Sequence, residues 1–232
     1  MTYQLWYWPG IPGRGEFVRL ALEAGGILYA DKAREDGAEA LMKDMAERRP
    51  EPFAPPYLVA GKKVIAQVAN ILFFLGREQG LAPAEQAPFV HQVQLTIADL
   101  VAEAHDTHHP VAPMRYYEEQ KPEAARKAAD FRHSRLPKYL GWFERALARS
   151  GGDWLTGETW SYADLSLFQL VEGLRYAFPQ RMASLARDCP TLLALRDAVA
   201  ELPELQDYLA SDRRLPFNEE GIFRCYPELD GA

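Results

Sequence analysis

The sequence has few cysteines and no long apolar run, and both absences narrow the classes of protein it can encode. Cys189 and Cys225 are the only cysteines in 232 residues. They lack metal-binding or redox spacing, which favours two inert thiols in a reducing compartment. The longest clean apolar run extends from Ile71 to Leu75, and it is far too short to span a bilayer.

The sequence also has fewer positively charged than negatively charged residues. Lys and Arg total 26 against 33 for Asp and Glu, which leaves a net charge of −7. An acidic chain has no long-range attraction for nucleic acid phosphates or anionic lipid, so neither is expected as a partner. The first residues show no charged segment followed by an apolar stretch, so no secretory signal is expected. We therefore expect a cytoplasmic protein.

What is present is an ordinary globular composition, with 48% apolar, 12% aromatic and 25% charged residues. The first eighty residues indicate a small α/β unit. The predicted order is strand 3–8, helix 13–24, strand 27–30, helix 36–48, a hairpin of strands 57–59 and 63–66, and helix 67–79. Within the first helix, the apolar residues fall at positions i, i+3, i+4 and i+7, which places them on one face.

The remainder of the chain is predicted to be all helical. Residues 81–85 are interpreted as a linker, and no convincing strand follows them. Helices are expected over 89–106, 123–149, 161–176, 190–202 and 203–209, with a kink at Pro137 because proline disrupts a helix interior. The predicted fold is therefore α/β plus all-α, with one domain over residues 1–80 and a helical domain over residues 86–232.

Three features fall on one rim of the predicted sheet. Pro55-Pro56 precedes the hairpin and can adopt a cis bond, which would expose backbone groups to an extended peptide. Gln67 opens a helix whose free amides and dipole suit a carboxylate. Tyr7 ends the first strand, where open α/β sheets bind ligands. Each feature also has a plain structural explanation: a rigid connection, a helix start and a packed aromatic ring.

Several segments resemble the cytosolic glutathione transferases. Tyr3 to Trp8 and Gly13 to Leu20 resemble the start of the tyrosine-using mu and sigma classes. Pro55 to Leu58 resembles the cis-proline segment of the family, and Ile65 to Leu72 resembles its Gln-Ser motif and following helix. Ser161 to Asp164 resembles the capping box of its helical domain, and the spacing of the two residues is itself that of a capping box.

The resemblance implies a thioredoxin-like domain followed by an all-α domain, usually in a homodimer. It implies attack of glutathione, the co-substrate, on a small electrophile, with the Tyr7 hydroxyl stabilising the thiolate. The glutathione-binding residues that it implies are Trp8, Arg14, Pro56, Tyr57, Gln67, Val68 and, across a dimer, Asp99. Tyr116 and Phe217 are implied in the electrophile pocket. Lys43, Arg48 and Arg49 remain open as contacts of the glycyl carboxylate.

One departure from the family concerns residue 68. The family has serine or threonine after the glutamine, whereas this chain has Val68. The hydroxyl that would bind the γ-glutamyl carboxylate is therefore absent, while the backbone amide and helix dipole remain. Since a hydrogen bond to a charged group contributes about 1.5–3 kcal/mol, we expect weak rather than absent glutathione binding.

Two histidines and the residue at position 68 raise alternatives to this function. His105 and His109 lie four residues apart and would share a helix face, but no clear third ligand is apparent from the spacing, so no metal is expected. A glutathione-dependent isomerase or peroxidase would use the same thiolate. A non-catalytic binding protein on the same scaffold would be consistent with Val68, whereas the combination of Tyr7 and Gln67 favours an enzyme.

Overall fold

The first part of the chain forms a four-stranded mixed sheet. The computed structural model describes residues 2–231. The strands are β1 (Tyr3–Trp6), β2 (Tyr29–Asp31), β3 (Tyr57–Ala60) and β4 (Lys63–Ala66), in the order β2-β1-β3-β4. β1 is parallel to β2 and antiparallel to β3, which pairs with β4 in an antiparallel hairpin.

Helices cover both faces of this sheet. They are α1 (Gly15–Ala24), α2 (Lys32–Asp36), α3 (Ala38–Glu47) and α4 (Val68–Gln79). Successive strand residues point to opposite faces. Leu5 and Leu58 accordingly pack in the main core with α1 and α4, whereas Trp6, Tyr57 and Val59 form a smaller cluster with Leu41 of α3.

The rest of the described chain is helical. Its helices are α5 (Ala87–Asp106), α6 (Lys121–Asp130), α7 (Leu136–Ala148), α8 (Tyr162–Ala177), α9 (Pro179–Leu185), α10 (Pro190–Ala200) and α11 (Pro203–Leu209). α8 is almost entirely buried and forms the centre of the helical core. Among residues 2–231, no helix combines the length and apolarity needed to cross a membrane.

The predicted fold class is confirmed. The helix predicted over 123–149 corresponds to one unbroken helical run over residues 121–148, in which a π-helical segment, Phe131–Arg135, joins α6 to α7. Pro137 follows this segment directly, and the kink expected there stays a prediction. α9 was not predicted, although Pro179 at its first position is a typical helix start. The division into domains at residues 80 and 86 stays a prediction.

The predicted capping box is present at the start of α8. Ser161 is the N-cap residue, and its backbone N–H donates to the Asp164 carboxylate over 2.8 Å. The Ser161 hydroxyl donates to the same carboxylate oxygen over 2.7 Å. The other oxygen accepts the Leu155 N–H over 2.8 Å. Asp164 is fully buried, so it holds the incoming loop and the helix start together.

A buried charge network links α1 to the end of the helical region. Arg19 and Glu16 are both fully buried on α1. Arg19 Nε donates to Asp31 over 2.6 Å. Glu16 Oε1 accepts the Tyr208 hydroxyl over 2.8 Å and Arg214 Nη1 over 2.7 Å. The network therefore crosses from the sheet-covering helix to α11 and the segment after it.

Candidate functional site

A cleft of about 560 Å³ lies between the sheet-bearing region and α5. Its lining comes from the start of α1, the segment before β3, the start of α4 and one face of α5. The lining residues are Arg14, Phe17, Phe53, Ala54, Pro55, Pro56, Gln67, Val68, Ala69, Asn70, His91, Gln94, Leu95, Ile97, Ala98 and Val101. The predicted residues Arg14, Pro56, Gln67 and Val68 thus share one cavity.

The segment before β3 lines this cleft with two prolines. The Pro55–Pro56 bond is cis, and both prolines line the cavity. Neither has an N–H, so both offer only acceptors. Tyr57, whose backbone is predicted to pair with a peptide, is the first residue of β3 and has Trp6 and Ala66 as register partners; this role stays a prediction.

The start of α4 presents unpaired amide groups to the same cleft. Val68, Ala69 and Asn70 are the first residues of α4, and the first helical backbone bond runs from Ile71 N–H to Gln67 C=O. Gln67 is the only non-glycine residue with positive φ in the described chain, at 72°. Such strain tends to accumulate at functional sites, and the free amides suit an anion.

Tyr7 follows β1 and is 4% exposed. Its hydroxyl oxygen accepts the Arg14 backbone N–H over 2.9 Å. Burial raises the pKa of Tyr7, while the Arg14 hydrogen bond and the charges of Arg14 and Arg19 lower it less. The phenol therefore keeps its proton at neutral pH, and that proton is available to an acceptor.

The loop that carries Arg14 packs directly on the Tyr7 ring. A Cβ atom at either Gly13 or Gly15 would overlap the ring, and Gly13 also has a φ of 42°. Both glycines thus allow the backbone to approach the phenol closely. Tyr7 itself is not among the residues that line the cleft, whereas Arg14 of the same loop is.

The structure places five other predicted site residues outside the cleft. Trp8 and Tyr57 pack on the α3 side of the sheet. Tyr57 donates its hydroxyl to Asp44 over 2.7 Å. Asp99 is exposed on α5, and Tyr116 is 78% exposed. Phe217 stacks on Tyr176 at 5.3 Å between ring centroids.

The three basic candidates for the glycyl carboxylate also lie outside the cleft. Arg48 forms an ion pair with Asp44 over 2.6 Å, and Arg49 donates to the Ala46 carbonyl over 2.9 Å. Neither these arginines nor Lys43 line the cavity. Arg14 is the one basic residue among its lining residues.

One face of α5 also lines this cleft, which was not predicted from the sequence. Gln94 is 1% exposed, and its Oε1 atom has no hydrogen-bond partner. His91 lies one turn earlier and has an unpartnered Nδ1 atom. Both line the cavity with Leu95 and Ala98. The signal was the pair of polar residues at spacing i, i+3 beside the apolar stripe of the helix.

Comparisons with known proteins point to one family. Residues 105–212 match the family model of the glutathione S-transferase C-terminal domain. The chain is 28% identical over 223 residues to glutathione S-transferase 1 of Ascaris suum, covering 93% of this chain and 98% of that protein. It is 27% identical over 220 residues to glutathione S-transferase alpha-5 of Rattus norvegicus, covering 90% and 89%. The pi-class glutathione S-transferase structure of Onchocerca volvulus covers 95% of this chain and 99% of its own at 22% identity, with a TM-score of 0.73.

These similarities support an enzyme of the glutathione transferase family, and the solved structure shares its fold. The relatives have alpha and pi names, so the predicted mu or sigma class is not confirmed. Tyrosine catalysis and the electrophile stay predictions.

Proposed function

We propose that this chain is a glutathione transferase in which the Tyr7 hydroxyl stabilises the glutathione thiolate for attack on an electrophilic small molecule. The observation that supports this most directly is the polarised phenol. Its oxygen accepts the Arg14 N–H over 2.9 Å, which leaves its own proton for the sulfur. Arg14 lines the cleft, so the phenol and the proposed binding cavity share one loop.

The energetic demand on Tyr7 is modest. A free thiol has a pKa of about 8.5, so only a few per cent is thiolate at neutral pH. Lowering that pKa by about two units requires about 2.7 kcal/mol of preferential stabilisation of the anion. One hydrogen bond to a charged group contributes about 1.5–3 kcal/mol. Tyr7 therefore needs to act only as a donor and not as a base.

We assign the γ-glutamyl end of glutathione to the start of α4. The free amides of Val68 and Ala69 would bind its carboxylate with help from the helix dipole. The Gln67 side chain would add a polar contact, and the Pro55 and Pro56 carbonyls would accept from the peptide. In this arrangement Gln94 lies on the opposite wall of the cleft, where its unpartnered Oε1 can accept a ligand N–H.

The direct test is retention on immobilised glutathione followed by conjugation of glutathione to an activated aryl halide. A transferase is retained on the immobilised glutathione and conjugates glutathione to the aryl halide. A non-catalytic binding protein, which the enclosed position of Tyr7 would favour, is retained without turnover. Failure of both steps would overturn the proposal.

We expect Val68→Ser to tighten glutathione binding by about tenfold to a hundredfold. The new hydroxyl would lie at the first position of α4 and donate to the carboxylate, and such a bond contributes about 1.5–3 kcal/mol. Isothermal titration of both proteins with glutathione measures the change. Val68→Ala is the matched control, because it shortens the side chain without adding a donor. An unchanged dissociation constant in Val68→Ser would contradict the assigned carboxylate position.

We also propose a cytoplasmic homodimer in which Asp99 reaches the glutathione of the partner. Phe53 borders the cleft with 93% of its surface exposed, and Leu95 across from it is 48% exposed. Burial of such side chains favours association. The thiols fit a reducing compartment, because both cysteines are unpaired.

We expect Phe53→Ser to shift the protein from dimer to monomer. The substitution removes the largest exposed apolar side chain at the cleft, and a central aromatic residue at an interface contributes about 2 kcal/mol or more. Sedimentation velocity over a dilution series measures the shift. Met114→Ser is the control, since Met114 is equally exposed at 94% but lies outside the cleft. A larger effect of Met114→Ser would place the interface elsewhere.

A further inference from the structure

Three of the five histidines of the chain meet at the end of α5. His105 lies in the last turn of the helix, and His108 and His109 lie in the turn that follows. One ring nitrogen from each lies within 4.8 Å of the other two. His108 is 2% exposed and His109 is 8% exposed, while the His105 side chain is 26% exposed. The cluster is therefore built into the protein and open to solvent on one side.

Hydrogen bonding sets the tautomer of the His108 ring. His108 Nε2 lies 2.8 Å from the Ile222 carbonyl oxygen. A carbonyl only accepts, so Nε2 carries the proton and Nδ1 presents its lone pair. A ligating histidine is commonly held in this way, with its second nitrogen donating to a backbone carbonyl. The His109 Nδ1 atom lies only 2.5 Å from His108 Nδ1, so without a metal the His109 Nδ1–H donates to the His108 lone pair. A metal bound by both nitrogens would replace this hydrogen bond, with the His109 proton moved to Nε2.

Charged groups of both signs lie near the three rings. The Asp106 carboxylate lies 3.5 Å from His105 Nδ1, whereas Arg14 and Arg224 place positive charge near the cluster.

We propose that His105, His108 and His109 form a binding site for a divalent transition metal of the zinc class, with a fourth position open to water or the Asp106 carboxylate. Imidazole nitrogens suit zinc, copper and nickel. Zinc binds nitrogen at about 2.0–2.1 Å in a tetrahedron, which separates two ligands by about 3.3 Å. The three nitrogens lie within 4.8 Å of one another, so each nitrogen–nitrogen distance would need to change by about 1.5 Å or less to hold zinc.

His108 does not share the helix face of His105 and His109, so their spacing of four residues did not indicate it as a third ligand. The turn after α5 brings the third ring back to the helix end. Ile222 belongs to the C-terminal segment, and the Tyr226 ring lies 6.2 Å from His108. A bound metal would thus fix this segment to α5. None of the three histidines lines the cleft, and the site does not depend on the proposed transferase activity.

The test uses the untagged full chain after treatment with a chelator and its removal. We expect isothermal titration with Zn²⁺ to give one equivalent per chain with a dissociation constant of about 1 μM or tighter. Co²⁺ should give the intense visible absorption of a four-coordinate site. His105→Asn, at the partly exposed position, should weaken binding at least tenfold and reduce that absorption. His133→Asn is the control, since His133 is exposed and outside the cluster.

The buried positions need a second check, because His108→Asn or His109→Asn alone could disturb folding. Circular dichroism and thermal unfolding without metal identify such damage. Zn²⁺ should raise the melting temperature of the wild-type chain and of His133→Asn, but much less that of His105→Asn. The proposal is overturned if the wild-type chain binds no Zn²⁺, or if His105→Asn and His133→Asn bind it equally well. In that case the rings form only an internal hydrogen-bonded cluster.

Discussion

Replacing Tyr7 with phenylalanine is expected to raise the pKa of enzyme-bound glutathione by about one to two units and to slow conjugation at neutral pH by about tenfold to a hundredfold. The ring and its packing against Gly13 and Gly15 would be retained, so the change isolates the hydroxyl. The lost hydrogen bond to the thiolate contributes about 1.5–3 kcal/mol, and each pKa unit corresponds to about 1.4 kcal/mol.

Ultraviolet difference spectra of bound glutathione, titrated across pH, measure this directly. The thiolate absorption should appear near neutral pH in the wild-type protein and at higher pH in Tyr7→Phe. Tyr139→Phe is a matched control, because this phenol also has a hydrogen-bond partner but lies on α7 away from the cleft. A wild-type protein that binds glutathione without any thiolate absorption would instead indicate a binding protein on this scaffold.

The largest effect on stability is expected from Asp164→Ala, at about 3–5 kcal/mol. Its carboxylate is the acceptor for the Leu155 and Ser161 backbone N–H groups and for the Ser161 hydroxyl. An unsatisfied buried donor costs about 1–3 kcal/mol, and the substitution would leave two such amides. The helix that would lose its cap is α8, which lies at the centre of the helical core.

Urea-induced unfolding followed by circular dichroism and fluorescence would measure the loss. Ser161→Ala is the informative control, because it removes only the hydroxyl and should cost about 1 kcal/mol, as for other N-cap residues. Comparable losses for the two variants would mean that Asp164 contributes through the cap alone. The bridge to Leu155 would then be energetically unimportant.

Much of the fold could be predicted because the spacing of apolar residues and the turn residues in the sequence match the helices and strands that form. The apolar stripe of Phe17, Leu20, Ala21 and Ala24 predicted one helical face, and all four are buried on α1. The hairpin was predicted from the turn at residues 60–62 and is formed by β3 and β4. The π-helical segment between α6 and α7 escaped prediction, since it repeats almost the same periodicity as the helices that it joins.

The sequence predicted a cleft residue correctly only where the local backbone alone fixes the position of that residue. Pro56 and Gln67 line the cleft, and both were identified from local backbone chemistry. Trp8 does not, because alternation along a strand directs a side chain to one face, and sequence alone does not say which face meets the cleft. The predicted role of Tyr57 concerns its backbone and stays a prediction. Gln94 was missed since its role depends on how α5 approaches the sheet, which is a tertiary arrangement.

The network around Glu16 and Arg19 has a consequence for how the molecule unfolds. One continuous apolar core runs from Tyr3 of β1 to Leu229 near the C-terminus, and Glu16 contacts Tyr208 and Arg214 within it. Separating the two regions would leave buried charges without partners, which is strongly unfavourable. We therefore expect the sheet and the helical bundle to unfold as one cooperative unit. A destabilising substitution in α11 should also disturb the loop next to Tyr7, because α1 connects the two.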